Sequence, residues 1–260
     1  MNSLIEILKL KKHGVISLIG AGGKTTLMFR LARELGCLNK KILTTTTTKI
    51  FKPMPHQSPK TIISNSLEEI INKSKNILKK IPCFTLGAKH LPLGKLKGLH
   101  PNLINQLWKS SIFDWIIIEA DGASQKSLKA CNSKEPVVPS VTTHLISMTG
   151  LDIMGKKLNE KSVLRSNLFS SISGLPINAD ITSHSIAKVL IHDIKKIKCL
   201  KNNLIKHIFL NKADHNNQKF AQQIVKILKK DNNINIIDQI LIGSLKNKNP
   251  VKQFYDINKG

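Results

Sequence analysis

Gly20-Ala21-Gly22-Gly23-Lys24-Thr25-Thr26 closes an apolar run, Val15-Ile16-Ser17-Leu18-Ile19, and opens a stretch with helical periodicity. These residue types suit a phosphate group. Glycines at 20, 22 and 23, with the small Ala21 between them, let the backbone turn tightly and bring N–H groups close to an anion. The positive end of the helix that follows adds to that attraction. Lys24 can reach terminal phosphate oxygens, and Thr25, followed by Thr26, can offer a hydroxyl to magnesium. Leu18 stands where the commoner G-x-x-x-x-G-K-[ST] spacing has its first glycine, leaving the shorter G-x-x-G-K-T form.

A phosphate loop needs a carboxylate opposite it, at the end of a neighbouring buried strand, to orient the metal. The run Ile116-Ile117-Ile118-Glu119-Ala120-Asp121-Gly122 supplies one. Glu119 is the expected magnesium partner of Thr25. Asp121 is the expected catalytic companion of Lys24, ordering a water or meeting the terminal phosphate. Thr44 to Thr48 form a threonine run at a second strand tip, which high strand propensity explains as well as function does. After Ile208-Phe209-Leu210 comes Asn211-Lys212-Ala213-Asp214, the N-K-x-D pattern by which many GTPases read guanine. A carboxylate there accepts two guanine protons that adenine lacks. The nucleotide is therefore ATP or GTP, with Mg2+.

These groups need elements to position them. Hydrophobic periodicity predicts a short helix at 4–8, a strand at 15–19 and a helix over 27–35 stopping at Gly36. Further strands are expected at 41–48, 61–63, 84–86, 115–118, 141–148, 205–210 and 234–242. Further helices are expected from Ser66, over 101–110, through most of 159–200, and over 220–229. Residues 87–98 read as a glycine- and lysine-rich loop. Strands alternating with helices predict an α/β protein of three layers, a mostly parallel sheet with helices on both faces, like P-loop NTPases. With no repeat or linker, a single domain over 1–260 is expected, carrying a helical segment around 159–200.

Lys+Arg 41 against Asp+Glu 16 gives a formal charge of +25, which favours anionic ligands. The lysines come in scattered pairs and aromatics are only 4%, which argues against a nucleic-acid partner. The cysteines lack metal spacing, and the nine histidines form no H-E-x-x-H set. No apolar run of 18 residues or basic leader is seen, so a soluble, cytoplasmic protein without membrane contact is expected.

The stretches ISLIGAGGKTTLMFRLAREL, ILTTTTTKIF, IIIEADGASQKSLKA, KEPVVP, TGLDIMGKKLNEKSVLR and LNKAD, in that order, resemble the YqeC family across most of the chain. That resemblance implies a nucleotide-binding accessory protein of selenium-dependent molybdenum hydroxylases, whose partners are the hydroxylase or its cofactor-maturation proteins. Cys131 stands where that family commonly has proline, and Leu164 where it commonly has histidine. The short loop also resembles that of Mur-type ligases, so an ATP-dependent ligase or kinase acting on a small carboxylate is the alternative. A basic nucleic-acid-binding protein is the third reading.

Overall fold

The computed structural model describes residues 3–197, 203–214 and 216–257; Cys199 and the end of the helical stretch expected at 159–200 lie outside the described residues. The first half of the chain runs α1 (Leu4–Ile7), β1 (Gly14–Gly20), α2 (Lys24–Gly36), β2 (Ile42–Thr46), β3 (Lys49–Phe51), β4 (Thr61–Ile63) and α3 (Leu67–Ile77). It continues through β5 (Cys83–Gly87), β6 (Lys89–Leu91), β7 (Lys95–Lys97), α4 (Pro101–Lys109) and β8 (Trp115–Glu119). The second half holds β9 (Leu128–Lys129), β10 (His144–Gly150), β11 (Val163–Leu164), α5 (Ser166–Ser173) and α6 (Ser183–Lys195). Last come β12 (Ile205–Asn211), α7 (Gln218–Lys229), β13 (Gln239–Gly243) and β14 (Val251–Asp256).

The main sheet has the order β14-β13-β12-β10-β1-β8-β2-β5-β4 and is parallel except for β14. Its central strands read as unbroken apolar runs because helices cover both faces. Ile16 and Leu18 of β1 point into a cluster with α1 and α2, while Val15 points into the cluster with α3 and α4. The α5, α6 and α7 helices cover that second face over β12 and β13. Trp115, Ile116, Ile117 and Ile118 are fully buried, each worth about 1.5–3 kcal/mol of apolar burial. Parallel pairing aligns Leu18 with Glu119, and Glu119 with Thr46, so the loop, the carboxylate and the threonine tract emerge at one sheet edge. This is the three-layer α/β arrangement expected of a P-loop NTPase-like chain.

Three local expectations are corrected, and one strand is additional to them. Residues 87–98 form the β6–β7 hairpin, joined by β3 into a separate antiparallel sheet. Its strands are three residues long, and β7 pairs with the distant β3 as well as with β6, so no local period announces them. The threonine strand stops at Thr46, because residues 47 and 48 turn the chain into β3. The expected strand at 234–242 starts only at Gln239. The additional one is the edge strand β14, whose sequence VKQFYD mixes polar and apolar residues without alternation, which conceals it.

Candidate nucleotide site

β1 ends at Gly20 and α2 begins at Lys24, so residues 20–23 make the entire turn. Gly22 and Gly23 have φ of 83° and 136°, where L side chains are strained. Space forbids them too: a Cβ on Gly22 would strike the Gly150 backbone nitrogen, and one on Gly23 would strike Asn211 Nδ2. Contrary to the expectation from the glycine spacing, the loop N–H groups do not all face inward. Those of Gly20, Ala21 and Gly22 donate to Asp121 Oδ2 (2.8 Å), Met148 O (2.8 Å) and Lys126 O (3.1 Å). No side chain caps α2, so the anion-seeking N–H groups are those of its first turn.

Lys24 is folded back over its own loop. Its Nζ lies 2.5 Å from Gly20 O and 3.0 Å from Asp121 Oδ1, and the side chain is only 4% exposed. Asp121 Oδ2 also takes Lys129 Nζ at 2.9 Å. Asp121 thus ties the loop lysine and the loop backbone to a second buried lysine. Lys129 in turn donates to Gly122 O and to Glu135 Oε2, both at 2.8 Å. Burial pulls its pKa down, yet the neighbouring Asp121, Cys131 and Glu135 leave it above the ordinary lysine value. Burial would raise Glu135, but hydrogen bonds from Arg165 and Lys129 hold it below the usual carboxylate range.

Thr25 Oγ1 donates to Glu119 Oε1 at 2.5 Å. Burial raises the Glu119 pKa, opposed by the charge of Lys24 and by that hydroxyl. With its proton turned to Glu119, the Thr25 oxygen keeps its lone pairs for a cation. A hydroxyl and a carboxylate are hard oxygen donors that fit magnesium, which completes its shell with phosphate oxygens and water. Among the described residues no group of three or more His, Cys, Asp or Glu could hold a metal unaided. The Glu119 carbonyl is fixed as well, by Thr46 Oγ1 (2.8 Å) and Thr47 N (3.1 Å).

The threonine tract divides. Thr44 and Thr45 turn their hydroxyls to Thr85 and to Leu86 O, away from the loop, whereas Thr47 and Thr48 line the cavity beside it. In N-K-x-D, Asn211 braces the loop: Nδ2 donates to Gly22 O at 2.7 Å and Oδ1 accepts from Leu245 N at 3.0 Å. Lys212 lines the cavity and bonds Ser127 Oγ (2.7 Å) and Asp152 (2.8 Å), while Asp214 is exposed ahead of α7. Lys129 and Glu135 lie inside the family-like stretches, but in so lysine-rich a chain nothing local marked them as part of the site.

The cavity in front of the loop has a volume of about 830 Å3 and runs from Lys212 past Lys24 and Glu119 to Lys49, Lys95 and Lys97. Two solved structures are similar to this chain over most of its length, at low identity. Hydrogenase maturation factor HypB from Archaeoglobus fulgidus is 15% identical, with a TM-score of 0.39 over 93% of this chain and 86% of its own. FtsY from Mycoplasma mycoides is 12% identical, with a TM-score of 0.33 over 98% of this chain and 69% of its own. The Escherichia coli (strain K12) protein described as "Uncharacterized protein YqeC" is 29% identical over 225 residues, 84% of each chain. The family model "YqeC protein" matches residues 16–167, from the strand before the loop to the start of α5. With more than half of its length under that model, the chain belongs to the YqeC family.

Proposed function

We propose that this protein binds and hydrolyses a nucleoside triphosphate with magnesium at residues 20–26, and uses that cycle in maturing a selenium-dependent molybdenum hydroxylase or its cofactor. The observation that carries the nucleotide reading is the convergence of a glycine turn, Lys24 and the 2.5 Å Thr25–Glu119 contact at one end of the sheet. Phosphates would lie on the first turn of α2, magnesium on Thr25 with Glu119 behind it. When bound, the metal neutralises developing phosphate charge. Lys24 would leave Asp121 for the terminal phosphate. Asp121 would keep Lys129 and the Gly20 N–H on one oxygen and turn the other to the cavity, where it could order a water.

Nucleotide state would be reported through Thr47 and Thr48, and through residues 122–126, all of which border the cavity. The hydroxylase role rests on the family resemblance, and residues 150–165 together with the β6–β7 hairpin would form the partner or substrate surface. Guanine or adenine is decided by titration, since Asp214 is free in front of α7 to accept guanine protons.

The test is titration with labelled ATP and GTP, with and without magnesium. Wild type should bind one of them in a magnesium-dependent way, Lys24→Ala should lose that binding, and Glu119→Gln should lose the magnesium dependence. Equal nucleotide affinity in Lys24→Ala would overturn the proposal. The maturation role predicts lower selenium content in the hydroxylase of cells lacking this protein.

A further inference from the structure

We propose that the small sheet of β3, β7 and β6 is a second anion subsite, holding an organic phosphate in the same cavity as the nucleotide. This rests on the nucleotide reading of that cavity. Antiparallel register sets Lys49 opposite Lys97, Phe51 opposite Lys95, Lys89 opposite Lys97 and Leu91 opposite Lys95. Residues opposite one another share a face, so four lysines, Phe51 and Leu91 form one surface. The other face is apolar where it meets the core: Ile50 and Leu96 are buried in the cluster that includes α2. The platform is therefore a mounted element.

Its charges are arranged against their own interest. Lys97 has a lysine directly across from it on both sides, a placement that destabilises a sheet. Among the described residues Lys49, Lys89, Lys95 and Lys97 have no carboxylate partner. Between Glu34 and Asp114 the chain's acids are Glu68 and Glu69, both on α3, and Glu69 is taken by Lys73 and Ser64. The remaining cationic groups of the cavity are all engaged: Lys24 on Asp121, Lys212 on Asp152, and Lys126 on Glu160 O. Among the described residues Lys49, Lys95 and Lys97 are the cations at its wall with no oxygen partner, Lys95 resting over the Phe51 ring. A bound anion would relieve their repulsion.

Position and shape narrow the ligand. In the sheet order, β12 with N-K-x-D lies two strands to one side of β1, and β2, which leads into β3, lies two strands to the other. A triphosphate reaching from Lys212 towards Glu119 would therefore point its terminal phosphate at the platform. Phe51 is 48% exposed, with Lys95 Nζ 5.0 Å from its ring centre, so a flat apolar surface adjoins the cations. An organic phosphate carrying a ring matches both features. A concave space of about 830 Å3 suits small molecules, and one aromatic side chain is too few to stack a nucleic-acid strand. Gly98 N donates to Thr48 O (2.7 Å) and Leu99 N to Thr46 O (2.8 Å), so platform and Glu119 hang on one hydrogen-bonded frame.

Phenyl phosphate and inorganic phosphate serve as probes, titrated by calorimetry into the full chain at fixed ionic strength. The chain is used free and saturated with a non-hydrolysable triphosphate analogue and magnesium. The saturated wild type should bind one phenyl phosphate, more tightly than inorganic phosphate. Lys95→Gln/Lys97→Gln should weaken this about tenfold or more, and Phe51→Ala should erase the preference for the phenyl group. Lys79→Gln/Lys80→Gln, altering exposed lysines elsewhere, should leave it within about twofold. Lys24→Ala should lose the analogue but keep phenyl phosphate. If the analogue fails to bind wild type, the nucleotide reading falls, and the subsite is still judged by the free-chain titration. The subsite is overturned if wild type shows no saturable phenyl phosphate binding, or if the control pair weakens it equally. Lys95- and Lys97-dependent binding of oligouridylate in place of phenyl phosphate overturns it as well.

Discussion

Replacing Lys129 with methionine keeps an unbranched side chain, one atom shorter, and removes its charge from a fully enclosed position. The lysine side chain is 1% exposed and Asp121 is 0% exposed, so water cannot take over from the missing partner. Removing one member of such a buried pair costs about 3–5 kcal/mol, mostly because the other charge is stranded. Here Asp121 retains Lys24 and the Gly20 N–H, and Glu135 retains Arg165, which places the cost at the low end, about 3 kcal/mol. Urea unfolding followed by circular dichroism measures it, with the slope held equal between variants. A second effect follows at the nucleotide. With Lys129 gone, Lys24 is the cation that neutralises Asp121, and moving it to a phosphate leaves that carboxylate with only the Gly20 N–H and the weak Cys131 thiol donor. Nucleotide affinity should fall about tenfold. Adding Asp121→Asn removes the stranded charge, so the double variant should be more stable than the sum of the single costs by about 1–2 kcal/mol. A Lys129→Met cost below about 1 kcal/mol, with strictly additive double-variant energies, would refute the idea that this network holds the loop.

Gly22→Ala should abolish nucleotide binding, by about a hundredfold or more, since the new Cβ meets the Gly150 backbone at a φ of 83° and the turn must open; an alanine variant binding within about threefold of wild type would contradict the loop geometry. Stability should fall as pH drops from about 6.5 towards 4. Burial lowers His144 to about 4 and His207 to about 3, so the unfolded chain binds the protons first. At pH 5 each buried imidazole should have cost about 2 kcal/mol. Glu119 and Asp193, raised by burial, act in the opposite sense above the ordinary carboxylate range, so the histidine contribution is the difference between wild type and the histidine variant. Urea midpoints across this range should therefore flatten in His144→Asn/His207→Asn, and an unchanged slope would refute the assignment.

Much of the site was legible because its signals are local. A glycine turn between an apolar run and a helical period, a carboxylate at the tip of Ile116-Ile117-Ile118, and N-K-x-D after a buried strand are each contiguous. Backbone sterics and burial give each of them a meaning without reference to the rest of the chain. The fold class followed from alternating elements, and the parallel sheet places each strand tip at one edge.

Sequence alone determined the glycine turn, the alternation of strands and helices, and the carboxylate facing the turn, because three-residue glycine spacing and apolar period are properties of neighbouring residues. Tertiary structure decided which charges meet. Lys129 and Glu135 join Asp121 only because the chain after β8 folds back beneath the loop, and Asn211 braces Gly22 across 189 residues of sequence. It also turned an apparent loop at 87–98 into a lysine-faced sheet, by pairing β7 of that hairpin with β3, more than forty positions earlier. Pairing and ion contacts at that range depend on where the whole backbone returns, which no window of sequence records.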